Sequence, residues 1–259
     1  NLLVVHIEGG EVSGTIDESI RHSVSKLAHI HLVANEEAKR RLIQMGEKEM
    51  NVYIIGSPDI DLMTSSNLPS LESVKRDFDI PFNRYAIFIY HPVTSSLHNL
   101  LNNIQEVMKA IVASEKDFVV VLPNNDPGSE IIIEELELLK ENHHFRIFPS
   151  IRFKAFLVLL KNCEFIIGNS SAGVREAPFY AVPAINIGTR QNGRYLHTTI
   201  IDVTESKEKI LSAMEKVKDL KPESSNHFGD GRSTERFMMV LKSDRVWKET
   251  IQKQFMDLK

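Results

Sequence analysis

Short runs that are apolar on both faces alternate along this chain with longer stretches in which apolar positions recur every three or four residues. The runs at residues 2–7, 30–34, 52–55, 85–90, 118–122, 145–148, 165–168, 184–187 and 199–203 are rich in β-branched and aromatic side chains. A strand without a polar face is covered on both sides, so these runs predict parallel strands buried between helix layers. The clearest helical stripe is Leu97, Leu100, Leu101, Ile104, Val107, Met108 and Ile111, and shorter helices are expected near residues 131–140 and 153–161. Strand–helix alternation of this kind specifies a doubly wound α/β sheet.

Gly56-Ser57-Pro58 and the polar stretch Thr64-Ser65-Ser66-Asn67-Leu68-Pro69 interrupt the alternation. Three strands precede this break and six follow, and six complete a Rossmann-like domain where three do not. The expected organisation is residues 1–58 as the remaining part of an N-terminal Rossmann-like domain, 59–243 as a C-terminal one, and 244–259 as a C-terminal helix able to pack back on the first. The chain opens on Asn1 and runs at once into an apolar strand, so a truncated first domain is expected, lacking roughly 100 residues by the size of a typical domain. The tail from residue 233 to 259 reads as two helices parted near Ser243-Asp244, bearing Trp247 and Phe255.

Composition narrows the classes. The chain has 259 residues, 42% of them hydrophobic and 25% charged, enough apolar content for a sizeable core or two smaller ones. With 31 basic and 35 acidic residues the formal charge is −4, so no global basic field draws in nucleic acid or an anionic membrane, and any phosphate must be captured locally. The single cysteine, Cys163, supports neither a disulfide framework nor a zinc site, and a reducing cytoplasm is the expected location. No apolar run approaches the ~20 residues that span a bilayer, and no leader pattern opens the chain, so secretion is not expected.

The first chemical motif is His6-Ile7-Glu8-Gly9-Gly10-Glu11-Val12-Ser13-Gly14-Thr15-Ile16-Asp17-Glu18-Ser19-Ile20-Arg21-His22. A strand delivers Glu8 to its tip, the glycines permit a loop to approach a ligand closely, and Asp17 opens the next helix. Asp17 with Arg21 and Glu18 with His22 are also ordinary i,i+4 pairs, and Glu8 an ordinary cap, but the glycines favour a functional reading. In the second motif, Gly168-Asn169-Ser170-Ser171-Ala172-Gly173-Val174-Arg175-Glu176, small hydroxylated residues at a strand-to-helix turn leave backbone N–H groups and the positive helix end for a diphosphate. Glu176, about one and a half turns into that helix, can accept two hydrogen bonds from a ribose diol. A serine cap and a surface glutamate are the ordinary alternative, and a Walker loop is excluded because Gly-Lys-Ser/Thr is absent.

Three further strands end in His91-Pro92-Val93-Thr94, Pro123-Asn124-Asn125-Asp126-Pro127-Gly128 and Gly188-Thr189-Arg190-Gln191. Each alone is a plausible turn. Together they set His91, Asn124, Ser170, Ser171 and Arg190 along one edge of one sheet, which points to a ligand there.

In order, these motifs, with Asn192-Gly193-Arg194 continuing the last, resemble the hydrolysing UDP-N-acetylglucosamine 2-epimerases of sialic-acid synthesis, a GT-B-like family, over essentially the whole chain. The opening with Gly-Gly-Glu is similar to the hydrolysing branch, whose loop is shorter than that of the non-hydrolysing branch. The resemblance implies an α/β, GT-B-like chain of two Rossmann-like doubly wound parallel-sheet domains, the first incomplete, with a UDP-sugar bound between them. It also implies loss of the C2 proton as UDP leaves C1, a 2-acetamidoglucal intermediate, and rehydration to N-acetylmannosamine. Glu8 and Asp17 match the family's acid/base carboxylates, and His91 its interdomain histidine, which either binds the diphosphate or moves a proton. Ser170, Ser171 and Arg190 are implied to hold phosphate, Glu176 the ribose, Asn124 the UDP-sugar more generally, and the region from Phe148 to Phe153 the uracil. No metal and no cofactor are implied; the partners are the UDP-sugar substrate and further copies of the chain, as a dimer or tetramer, with no nucleic acid and no membrane.

Two departures stand out. The family's N-terminal strands, with a phosphate-facing arginine and a further aspartate, are missing, so the fragment by itself is expected to be inactive. Tyr195-Leu196-His197-Thr198-Thr199 stands where relatives carry a glycine-containing stretch beside the sugar, which opens the substrate identity. The competing readings are an epimerase of the same mechanism acting on UDP-2,4-diacetamido-2,4,6-trideoxyglucose, on the route to legionaminic acid, a retaining GT-B glycosyltransferase, and a non-catalytic UDP-sugar sensor. A glycosyltransferase gives Glu8 and Asp17 no role.

Overall fold

The computed structural model describes residues 2–221 and 223–257. The chain divides into two compact units, one of Asn1–Ser66 with Asn226–Lys259, the other of Asn67–Ser225. In the first, β1 (Val5–Ile7), β2 (Ile30–Val33) and β3 (Val52–Ile54) form a parallel sheet in that order. They are linked by α1 (Asp17–Leu27) and α2 (Glu36–Gln44), and α3 (Pro58–Met63) follows. β2 is buried at every position: Ile30 and Leu32 pack in one apolar cluster with Ile55 and Val246, Val33 in another with Ala38, Leu42 and Val52. Cover on both sides is the reason the strand shows no polar alternation. Asn35 starts α2 by accepting the Ala38 amide on Oδ1 at 2.9 Å.

The second unit runs through α4 (Leu71–Asp77), β4 (Ala86–Ile89), α5 (Leu100–Ala113), β5 (Phe118–Val121), α6 (Ser129–Glu137), β6 (Phe145–Phe148), α7 (Phe153–Asn162) and β7 (Ile166–Gly168). It ends with α8 (Glu176–Phe179), β8 (Ala184–Ile187), β9 (Ile200–Val203) and α9 (Lys207–Lys216). Among the described residues its sheet has six parallel strands in the order β6-β5-β4-β7-β8-β9. The order reverses between β4 and β7, which opens a crevice at their carboxyl ends, the place where such sheets take ligands. The core joins Phe88, Phe118, Phe145 and Phe165 to Ile104, Val107 and Ile111 of α5. Each such side chain, fully buried, contributes roughly 1.5–3 kcal/mol. Leu97 lies outside α5, in a short 3-10 turn at Thr94–Asn99 that Ser96 interrupts at φ −138°.

The chain then returns to the first unit as α10 (Ser233–Leu241) and α11 (Asp244–Trp247). It leaves that unit at Ser66 rather than at residue 58 and rejoins it at Asn226 rather than at 244. The physical reason is Asp61 of α3, whose carboxylate accepts the amides of Ser233 at 2.8 Å and Thr234 at 2.7 Å and so caps α10. Burial acts to raise the Asp61 pKa, but these bonds outweigh it and hold the carboxyl low.

The expected helix over residues 244–259 stops at Trp247; Phe255 is not on a helix, and 258–259 lie outside the described residues. Side-chain bonds hold the irregular tail against the first unit. Lys253 Nζ donates to the carbonyls of Ser25 at 3.2 Å, Lys26 at 2.9 Å and Ala28 at 2.6 Å, and pairs with Glu47 at 2.5 Å. His29 Nε2 donates to the Ile251 carbonyl at 2.9 Å. Glu47 also meets Lys26 at 2.8 Å and the buried His31 at 3.0 Å. Burial pushes the Glu47 carboxyl up, yet hydrogen bonds from His31, Lys253 and Lys26 prevail and hold it at about 2. Among the described residues, no helix is long and apolar enough to cross a membrane.

Candidate functional site

In the first unit, β1 ends at Glu8, whose backbone is left-handed at φ 62° while its amide stays tied to the Leu32 carbonyl at 2.8 Å. A non-glycine residue held there stores of order 1–3 kcal/mol of strain, a common mark of a functional position. At Gly10, φ 76°, a Cβ would strike the Ala38 carbonyl, so the loop needs glycine there to lie against α2. Asp17 is the exposed first residue of α1 and accepts from Thr15 Oγ1 at 3.2 Å. Glu18 accepts the Ser13 amide at 2.9 Å and pairs with His22 at 3.5 Å, while Arg21 donates to the Glu11 carbonyl at 3.3 Å. His6 Nδ1 lies 3.0 Å from Ser25 Oγ, and burial, His31 and Arg21 together hold its pKa below the usual value.

In the second unit, His91 follows β4 and the Gly168-Asn169-Ser170-Ser171 turn follows β7, so both stand at the reversal of strand order. Gly168, at φ 132°, admits no side chain, because a Cβ there would collide with the Ile89 carbonyl. That close approach lets Asn169 grip the backbone of His91: Oδ1 accepts the His91 amide at 2.7 Å and Nδ2 donates to the His91 carbonyl at 2.8 Å. The Asn169 carbonyl in turn accepts from Arg190 Nη1 at 3.2 Å and Gln191 Nε2 at 2.7 Å.

The His91 ring is fixed chemically as well. Its Nδ1 lies 3.1 Å from the amide nitrogen of Asn124. An amide N–H only donates, so Nδ1 is the bare nitrogen and the neutral ring carries its hydrogen on Nε2. Burial and the nearby Arg190 push the ring's pKa down to about 4, so it is uncharged near neutrality. The group available to a ligand is therefore a neutral Nε2–H donor.

Other expected site residues divide by surroundings. The Asn124 side chain donates to Asp126 at 2.5 Å, so this residue's part is played by its backbone toward His91. Ser170 Oγ accepts the Ala172 amide at 3.3 Å, capping a 3-10 turn at Ser171–Gly173. Glu176 is not one and a half turns into a helix: it is buried and opens the separate four-residue α8. Pro178 explains the break, since a helix running from Ser171 would place its missing N–H and its ring in the interior. With so short a helix, the positive helix end is weaker than expected and backbone N–H groups remain the local donors. Phe148 packs edge-on against Phe78 at 5.5 Å, whereas Phe153 is 37% exposed at the start of α7. Asn169 and Gln191, which belong to the quoted motifs but not to the expected site residues, are both buried polar side chains beside strand tips, a property that only the fold reveals.

A left-handed carboxylate at a strand tip in one unit, and in the other a polar rim at the switch point of a doubly wound sheet, mark a GT-B-like nucleotide-binding protein. The UDP-N-acetylglucosamine 2-epimerase family model matches residues 1–242, and the chain belongs to that family. A UDP-N-acetylglucosamine 2-epimerase of Neisseria meningitidis serogroup B is 50% identical over 260 residues, covering 99% of this chain and 69% of that protein. A hydrolysing UDP-N,N'-diacetylbacillosamine 2-epimerase of Legionella pneumophila is 34% identical, covering 98% of this chain and 68% of the relative. Among solved structures, the Methanocaldococcus jannaschii UDP-GlcNAc 2-epimerase, in complex with UDP-GlcNAc and UDP, superposes with a TM-score of 0.75 at 25% identity, covering 92% of this chain and 68% of that one.

Proposed function

We propose that this chain carries the machinery of a hydrolysing 2-epimerase that converts UDP-N-acetylglucosamine and water to N-acetylmannosamine and UDP, for sialic-acid synthesis. The observation that carries the reading is the rim at the β4/β7 switch point, where His91 is held by the side chain and Arg190 by the backbone carbonyl of one buried asparagine, Asn169. Arg190, the His91 Nε2–H and the turn at Ser170-Ser171 supply cationic and N–H donors suited to a departing diphosphate. Phe153 offers an exposed ring to uracil, and Glu176 is read as the acceptor of the ribose diol. The Phe148 ring backs that wall through Phe78.

Glu8 and Asp17 are assigned to the proton transfers: one carboxylate removes the C2 proton as the C1–O bond to UDP breaks, and the other returns a proton to the opposite face as water adds at C1. His91 is assigned to donation toward the diphosphate and not to base chemistry, because its Nδ1 is occupied by the Asn124 amide. The short Gly-Gly-Glu loop favours the hydrolysing branch, as does the hydrolysing relative from Legionella. The Tyr195-Leu196-His197 stretch keeps a diacetamido sugar in view as a second substrate.

The test is product analysis by NMR in D2O, in the full-length enzyme, with UDP-N-acetylglucosamine and the diacetamido sugar offered separately. Free N-acetylmannosamine carrying one solvent deuterium at C2, with stoichiometric UDP, is expected. Accumulation of UDP-N-acetylmannosamine would assign the non-hydrolysing reaction, and turnover of the diacetamido sugar alone would assign the second substrate. Glu8→Gln and Asp17→Asn are each expected to lower turnover at least ~10²-fold while leaving UDP affinity nearly unchanged.

A further inference from the structure

Asn169 is completely buried, yet every bond its side chain makes is aimed at one residue, His91. Closure of the sheet does not require those bonds. The ladder between β4 and β7 already continues one step further through the Asn169 amide, which donates to the Ile89 carbonyl at 3.1 Å. The carboxamide adds a two-point grip on the residue two positions past the end of β4, holding both the N–H and the C=O of His91 and thereby setting the direction of its Cα–Cβ bond. From its carbonyl the same residue holds the Arg190 guanidinium at 3.2 Å and the buried Gln191 amide at 2.7 Å. One asparagine thus joins the ends of three neighbouring strands, β4, β7 and β8.

We propose that Asn169 is a positioning residue, which holds the His91 Nε2–H donor and Arg190 in fixed register before the nucleotide arrives. This rests on the assignment of His91 and Arg190 to the diphosphate. Its physical basis is preorganisation: a donor that needs no reorientation during bond breaking acts at full strength, and a misplacement of about 1 Å costs on the order of 10²-fold in rate.

A double-mutant cycle in the full-length enzyme separates positioning from simple support of the fold. Asn169→Ala is expected to lower kcat about 10²-fold. In a His91→Gln background the further loss is expected to be less than about threefold, because the donor that Asn169 aims is already gone. In a Glu8→Gln background the full loss is expected to recur. Equal losses on both backgrounds, with His91→Gln itself impaired, would overturn the positioning role and leave the function intact. A His91→Gln variant with wild-type turnover and UDP affinity would remove His91 from the diphosphate, and the positioning role with it. Should the alanine variant not fold, Asn169→Ser serves in the same cycle, being neutral and polar but too short to hold both the amide and the carbonyl of His91. If that chain also fails to fold, Asn169 is structural and the proposal is wrong.

Discussion

Two histidines on parallel strands, one in each unit, are held in opposite ways. His31, in the middle of β2, is bonded to Glu47, whose carboxylate also collects the ammonium groups of Lys26 and Lys253. His91, at the tip of β4, is gripped by the Asn169 carboxamide and the Asn124 amide, and its charged neighbour Arg190 has the sign that disfavours protonation. The first arrangement closes the C-terminal tail onto the C-terminal end of α1. The second keeps a ring neutral and aimed. Around Glu47 the chain supplies both signs of charge; around His91 it supplies backbone and side-chain amides and a guanidinium, an environment suited to the diphosphate role proposed for that ring.

Glu47→Ala tests the closed network. It leaves Lys253 and His31 without their carboxylate and is expected to cost about 3 kcal/mol in denaturant unfolding, the low end for breaking a buried pair because Lys26 remains half-exposed. UDP affinity by calorimetry should not change; a matching loss of affinity would erase the division of labour. Glu176→Ala is expected to act the other way, weakening UDP binding by about 1.5–3 kcal/mol, the range for hydrogen bonds to a charged group. Unchanged affinity would return Glu176 to a structural role.

Phe153→Leu is expected to weaken UDP binding by about 1 kcal/mol, the scale of one ring contact. Phe148→Leu should instead lower Tm, because its ring is engaged with Phe78. The reverse result would exchange their assignments. The gentlest effect concerns pH. His91 titrates near 4 in the fold against an ordinary value of 6.5, so the folded state binds fewer protons and stability falls as pH drops from 6.5 toward 4. Glu47, near 2 against 4.5, adds a second loss between pH 4.5 and 2. His91→Gln should make the upper leg shallower and Glu47→Gln the lower one; if either variant altered the other's leg, the two sites would not be independent.

The sheets were legible because both faces of each strand are covered, which writes itself into composition as runs such as Ile87-Phe88-Ile89 and Val119-Val120-Val121. Strand tips were legible for the same reason, since a polar residue directly after such a run stands at the carboxyl edge. Interactions across the sequence were not. Asn169 reaches His91 over 78 positions, and nothing local distinguishes its amide from that of a turn residue. The tail at 248–257 has an ordinary helical composition, but Lys253 donates to carbonyls of α1, more than 220 positions away, and the chain is irregular rather than helical there. The break before Glu176 was readable, because Pro178 forbids a helix that starts at Ser171.

The order in which the ribosome delivers these parts follows from the return of the chain at Asn226. The second unit is one continuous stretch and can fold as soon as it emerges. Glu47, by contrast, waits for Lys253, 206 residues later (253 − 47 = 206). At 5–20 residues per second, translation leaves a nascent first unit without its strap for about 10–40 s. During that interval the carbonyls at the end of α1 and the pocket around His31 stand open to water, chaperones and proteases, and the second unit, whose last residue is Ser225, is finished before the strap arrives.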